Sequence, residues 1–243
     1  MIKDIVIVCI SGRGGVSSPS GITNLRNRLR DTLQPLGIDP DRVFRRSWNK
    51  AGDDDPFGFP DTDDLKREIE RRSNNLAYLA IIGHSYGGWA ACRLSQRTSR
   101  EPDFVGLLDP VFGPINVMGP GDSPRGKVIL NWYQTNGIKE TSGCPSTLLT
   151  CIVPGNGISC GYNKVPNATN IWESELKDWD GNVKRRDCGY PIPNEDRPLT
   201  HVNMDDNDYL HHQICDRIYK DVKKILLTIQ DATFTTILLN TLK

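Results

Sequence analysis

The sequence predicts an α/β fold: a mostly parallel central sheet of about six strands with helices on both faces, in a single domain over residues 1–243. Three observations carry that expectation. Residues 4–10 are an apolar run rich in β-branched side chains, as in a strand buried on both faces of a parallel sheet. Apolar runs then alternate with segments of helical period as far as residue 108, and that order requires parallel strands joined by right-handed crossovers. A further apolar run, 76–82, ends in Gly83-His84-Ser85-Tyr86-Gly87-Gly88, where strand, sharp turn and helix follow within a few residues.

Each element has a local reason. After the first strand comes a Gly-rich turn, then a helix with Ile22, Leu25, Leu29 and Leu33 on one stripe, ended by Pro35 and Gly37. Residues 42–48 read as the second strand, followed by an acidic loop over 49–60. Asp61 then caps a helix whose first turn carries Asp63 and Asp64 and whose last carries Arg71 and Arg72, each sign matching the helix dipole. The third strand is 76–82 and leads into a helix over about 87–97; the fourth, 104–108, ends in Asp109-Pro110. A short Gly- and Pro-rich stretch, 111–127, precedes a fifth strand at 128–133. Residues 134–199 form an irregular excursion expected to wall the functional crevice, with a strand candidate at 168–173 and Trp172 and Trp179 as apolar contacts. So long a structureless loop is out of keeping with a compact domain, so at least one core strand is expected within it. From about residue 206 a long amphipathic helix carries Ile214, Ile218, Val222, Ile225 and Ile229, and the apolar tail 234–242 reads as a final element docked on the core, with a partner or membrane-surface helix as the alternative.

Composition narrows the function. Thirty Lys plus Arg balance thirty Asp plus Glu, so no net charge draws the chain to nucleic acid or an anionic membrane, and a small neutral or amphiphilic ligand fits better. No apolar stretch is long enough for a transmembrane segment. The N-terminus lacks a basic region and a cleavage site, so a cytoplasmic location is expected. Of seven cysteines, Cys9, Cys92 and Cys215 fall on core positions, whereas Cys144, Cys151, Cys160 and Cys188 share the irregular region at spacings that match no zinc pattern. Reduced loop thiols are the expectation, disulfides the alternative. The acidic clusters 53–55 and 61–64 read as solvated loop and helix cap, without the calcium-loop pattern, and neither metal nor cofactor is expected.

The glycines at 83, 87 and 88 have a steric purpose: a serine on a strained turn needs neighbours without Cβ atoms so that its hydroxyl projects while the helix stays close to the strand. Here the chain resembles the α/β-hydrolase family (esterases, lipases and thioesterases), in a minimal form lacking the first strands. The resemblance implies that Ser85 is the nucleophile of a nucleophile elbow.

That serine needs a base, and the chain has only four histidines. His201 stands in the loop before the last long helix, where the family places its catalytic histidine. His211 and His212 are the alternatives, and His84 reads as structural. Asp109 stands at the carboxyl end of the strand neighbouring that of Ser85, where strand ends share a crevice. Its surroundings resemble those of the acid in pancreatic-type lipases, and the later position near Gln134 offers no carboxylate before Glu140. Asp205 and Asp206 read as caps of the last helix. The resemblance further implies an oxyanion hole from the N–H of Tyr86 and one from Gly12 or Arg13. A dinucleotide-binding reading of Gly12-x-Gly14 fails because Ser17 replaces the third glycine. The expected activity is hydrolysis of an acyl ester or thioester, with a small-molecule or lipid-like acyl substrate. An acyltransferase with the same triad and a non-catalytic binding protein are the alternatives.

Overall fold

The computed structural model describes residues 4–13, 21–49, 58–150 and 160–241, with side chains described as far as residue 228. Gly14, Gly15, Ser17, the 53–55 acidic cluster, Cys151 and the side chains of Ile229 and the 234–242 tail therefore lie outside the described residues.

The chain runs β1 (Ile5–Ser11), α1 (Ile22–Leu33), β2 (Val43–Ser47), α2 (Thr62–Arg72), β3 (Tyr78–His84), α3 (Tyr86–Arg97), β4 (Phe104–Leu108) and β5 (Ile129–Tyr133). Four short strands and one longer one follow: β6 (Lys139–Glu140), β7 (Leu148–Leu149), β8 (Thr169–Trp172), β9 (Arg185–Arg186) and β10 (Glu195–Asp196). Then α4 spans Asp208–Thr241. The main sheet has six strands in the order β2-β1-β3-β4-β5-β8, every neighbouring pair parallel. The excursion thus supplies the core strand expected of it, and its other short strands pair as two antiparallel ladders, β6 with β7 and β9 with β10.

Alternation along β1 divides the core into two layers. Ile5, Ile7 and Cys9 face α1 and α4, meeting Leu25, Leu29, Ile214 and Ile218. Val6, Val8 and Ile10 face α2 and α3, meeting Leu65, Ile69, Ala91 and Leu94. Helices therefore cover both faces of the sheet, and each fully buried aliphatic side chain contributes about 1.5–3 kcal/mol of transfer free energy. Asp61 caps α2, its carboxylate accepting the Asp64 N–H at 3.0 Å. Asp63 pairs with Arg97 and Asp64 with Arg67. Cys9, Cys92 and Cys215 are buried, and burial pushes the Cys9 and Cys215 thiols up to about 12.

Two sequence expectations need correction here. Cys144 and Cys188 form a disulfide rather than remaining loop thiols, because two segments 44 residues apart meet where β6 and β7 adjoin β9 and β10. Cys160 lies outside that bridge and is buried, with its carbonyl accepting from Asn116 Nδ2. The 234–242 tail is no separate element: α4 continues without a break to Thr241. No helix among the described residues is long and apolar enough to cross a membrane.

Candidate active site

Because all six strands of the main sheet run parallel, the residues that follow their last positions converge on one edge. Gly12 follows β1, Ser85 follows β3, Asp109 follows β4 and Gln134 follows β5.

Ser85 sits between β3 and α3 at φ 56° and ψ −127°, a conformation that L-residues rarely adopt. The turn is fixed from both sides. Its N–H donates to the Leu108 carbonyl at 3.1 Å, and its carbonyl accepts from Gly88 and Val111 at 2.9 and 3.0 Å. The surrounding glycines have no room for a side chain: a Cβ on Gly83 would lie 2.1 Å from the Gly87 carbonyl oxygen, and one on Gly88 would lie 2.5 Å from the Pro110 Cβ. A Cβ on Gly12 would stand 2.6 Å from that of Ser85, so the backbone after β1 passes directly beside the serine. Tyr86 N–H, at the first position of α3, lies outside the intrahelical ladder and is open to a ligand by position. Arg13 lies close enough to the Tyr86 hydroxyl to act on it electrostatically.

The other two residues come from a distance. His201 Nε2 is 2.9 Å from Ser85 Oγ, and its Nδ1 is 2.8 Å from Asp109 Oδ2. An ionised carboxylate only accepts, so Nδ1 carries the proton and Nε2 presents its lone pair to the serine hydroxyl. Asp109 is wholly buried, and its φ of 46° bends the chain away from β4 so that the carboxylate turns back toward the histidine. Gly161 lies over it, and a Cβ there would stand only 2.1 Å from Oδ1.

Sequence reasoning missed what holds Asp109. Gln134 Nε2 donates to Oδ2 at 2.8 Å and its backbone N–H to Oδ1 at 3.3 Å, so the position after β5 that lacked a carboxylate instead serves the one on β4. Gln134 Oε1 in turn accepts from Asn136 and Gly137. Gly137 and Ile138 accept the N–H groups of His201 and Val202 at 2.9 and 3.0 Å, so the start of the excursion grips the histidine loop. No sequence signal was available for it, because nothing local reveals the partner of a glutamine after a strand.

The remaining histidines are apart from Ser85. His84 donates from Nε2 to the His201 carbonyl at 2.9 Å, with Nδ1 3.3 Å from Asp205 Oδ2. Burial alone would lower its pKa, but the Asp205 carboxylate, Asp109 and the His201 carbonyl together raise it above 6.5. His211 is buried, with Nε2 donating to the Asp205 carbonyl, and burial with the nearby Arg28 pushes it down to about 4. His212 stacks on Trp179 at 4.7 Å.

Asp205 and Asp206 do not cap the last helix. They reach the start of α1, where Asp206 accepts the Gly21 N–H at 2.7 Å and Asp205 the Ile22 N–H at 3.1 Å, because the His201 loop folds across that terminus. Trp179 packs on His212 and under Arg28, on the α1 and α4 side of the sheet, and Trp172 stands more than half exposed at the end of β8, donating to Thr135. Both are thus held by partners of their own, away from Ser85.

These shifts set a pH signature. His211 has a depressed pKa, so the unfolded chain binds more protons between pH 6.5 and about 4, and stability rises with pH through that window by about 3 kcal/mol. The His84 contribution has the opposite sense: it is present below pH 6.5 and is lost as pH rises through its elevated value. Urea unfolding at half-unit pH steps is expected to give a shallower slope between pH 4 and 6.5 in His211→Asn than in wild type. An unchanged slope would assign the acid limb to other groups.

No family model and no curated protein matches the chain. The solved structures that resemble it include these two. One is a protein of Pectobacterium atrosepticum described provisionally as a YdeN-like hydrolase, with TM-score 0.35, 16% identity, and coverage of 55% of this chain and 65% of that one. The other is from Xanthomonas campestris, described provisionally as a hydrolase of the alpha/beta superfamily, with TM-score 0.32, 16% identity, and coverage of 54% and 72%. The chain thus spans just under two thirds of the length of the first. By its own sheet order and flanking helices, the chain has a parallel α/β fold with helices on both faces of the sheet.

Proposed function

We propose that the protein is a serine hydrolase that cleaves a carboxylic ester or thioester through an acyl-enzyme on Ser85. The observation that carries this reading is the continuous hydrogen-bonded series from Ser85 Oγ through His201 to Asp109, at 2.9 and 2.8 Å, ending on a wholly buried carboxylate. A serine hydroxyl gains little from such an arrangement in a merely structural role, and the strained backbone at Ser85 serves to present it.

In the first half of the reaction, Ser85 Oγ attacks the acyl carbonyl as His201 Nε2 takes its proton. Asp109 holds the resulting imidazolium, and the N–H groups of Tyr86 and of Gly12 or Arg13 bind the oxyanion. His201 then returns the proton to the departing alkoxide or thiolate. A water molecule, deprotonated by the same histidine, attacks the acyl-enzyme and releases the acid, restoring Ser85. Exposed Ile115 and Val117, on the loop after Asp109, and Val202, beside His201, favour an apolar acyl group.

The test is covalent labelling with a fluorophosphonate followed by peptide mass spectrometry. Label is expected on Ser85 of the folded protein and absent from Ser85→Ala. A folded wild-type protein that stays unlabelled would overturn the catalytic reading.

A further inference from the structure

His84 adjoins the nucleophile in sequence yet turns away from the reacting atoms. Its ring lies 5.0 Å from that of His201, centroid to centroid, and its two nitrogens face two acceptors. Nε2 is 2.9 Å from the His201 carbonyl oxygen, and Nδ1 is 3.3 Å from Asp205 Oδ2. A carbonyl and a carboxylate both only accept, so the ring satisfies both when it donates from both nitrogens, as an imidazolium does. Asp205 is committed in its turn: Oδ2 also accepts the Ile22 N–H at 3.1 Å, and a Cβ on Gly21 would lie 2.1 Å from it.

We propose that His84 is a positioning residue for the general base, fastening the loop that carries His201 to the strand that carries Ser85, with Asp205 fixing the orientation of its ring. This rests on the reading of His201 as the base. The physical reason is that Ser85 and His201 belong to segments 116 residues apart, and their 2.9 Å contact depends on how the histidine loop is seated. Two contacts hold the backbone of that loop around His201 itself. Gly137 and Ile138 hold the N–H side of His201 and Val202, and His84 holds the carbonyl side of His201. Because His84 is the last residue of β3, the second contact ties the base directly to the strand that ends at the nucleophile.

The charged surroundings suit the assignment. Asp205 faces Nδ1, Asp206 and Asp109 lie within electrostatic reach, and His201 is the neighbouring ring. His211 stands beyond Asp205, bonded to its backbone carbonyl, and Arg28 near it helps keep it neutral. Three carboxylates therefore lie within electrostatic reach of His84.

The experiment compares wild type, His84→Leu, His84→Gln and Asp205→Asn by the rate of fluorophosphonate labelling at Ser85 and by kcat and KM on a p-nitrophenyl ester of a short acid. His84→Leu leaves the His201 carbonyl without its donor and is expected to lower kcat and the labelling rate by about ten- to a hundred-fold, with KM within about two-fold, because misplacement acts on reaction geometry rather than ester binding. His84→Gln keeps an N–H donor where Nε2 stands and is expected to recover most of the loss. Asp205→Asn keeps the volume and is expected to cost several-fold in kcat. If His84→Leu reacts as wild type does, or His84→Gln is as impaired as His84→Leu, the proposal is wrong. Should His84→Leu fail to fold, Asp205→Asn decides, and wild-type kcat there rejects the proposal. Wild-type protein that takes no label at all refutes the hydrolase reading instead, so the two failures are distinguishable.

Discussion

Replacing His201 by alanine is expected to lower turnover of an activated ester by about five to six orders of magnitude, and Asp109→Asn by about four, with the double variant no slower than His201→Ala alone. The lack of additivity follows from the geometry. Asp109 acts only through Nδ1 of His201, and once the imidazole is gone its carboxylate has no part in the proton transfer. The Asp109→Asn effect can be argued atom by atom. Oδ2 accepts from His201 Nδ1 and Gln134 Nε2, both at 2.8 Å, while Oδ1 faces the Gln134 backbone N–H. An asparagine with its oxygen at the Oδ2 position would point its NH₂ group at that backbone donor. Turned over, the NH₂ would meet both the Gln134 amide and Nδ1, driving the proton of His201 to Nε2, where it can no longer accept from Ser85. Either orientation costs, and the second removes the base while leaving every heavy atom near its place. Steady-state kinetics on the three variants, with near-native circular dichroism as the control, would check this. A loss of less than ten-fold in His201→Ala would mean that another group accepts the Ser85 proton.

What was legible in the sequence follows the range of the interactions concerned. The turn around Ser85 was legible because its requirements are local: the Gly83, Gly87 and Gly88 spacing records contacts within six residues and with the immediate neighbours of β3. Asp109 could be singled out because parallel strands deliver their last residues to one edge, whereas His201 was singled out by the resemblance to the α/β-hydrolase family, which implies a base in the loop before the last long helix. Gln134 was not legible, since an amide after a strand looks the same whether it serves a carboxylate 25 residues away or none. Asp205 and Asp206 looked like caps and are caps, but of a helix 183 to 185 residues earlier, because capping chemistry specifies a terminus and not which one. The Cys144–Cys188 bridge has the same character. Spacing does not encode disulfide pairing, and reasoning from the expected compartment gave the wrong redox state. Trp179 reads as an apolar residue in search of a surface, and the surface it found was His212 of α4.

Gly87→Ala is expected to destabilise the protein by about 3 kcal/mol or more. Its Cβ would lie 2.2 Å from the carbonyl oxygen of Ile10, 2.8 Å from that residue's carbonyl carbon and 3.0 Å from the carbonyl carbon of Ser11. All three are backbone atoms, so no rotamer change relieves the clash. β1 cannot retreat: it lies between β2 and β3, paired along most of its length, and its core side chains are buried on both faces. Nor can α3 lift away, because Trp89, Ala90, Ala91 and Leu94 are packed into the layer beneath it. Gly37→Ala gives the comparison. There the φ of +78° is unfavourable for a side chain, but nothing lies within 4 Å, so the cost is restricted to backbone strain of about 1–2 kcal/mol. Urea unfolding of the two variants separates close approach from conformation, and equal losses would mean that α3 and β1 are not held as tightly as the geometry requires. The same approach of α3 to Ile10 and Ser11 brings the next residue, Gly12, beside Ser85, so a helix displaced by even a methyl group would open the space into which an oxyanion must fit. In this chain the close packing of α3 on β1 and the passage of Gly12 beside Ser85 both depend on the missing side chain of Gly87.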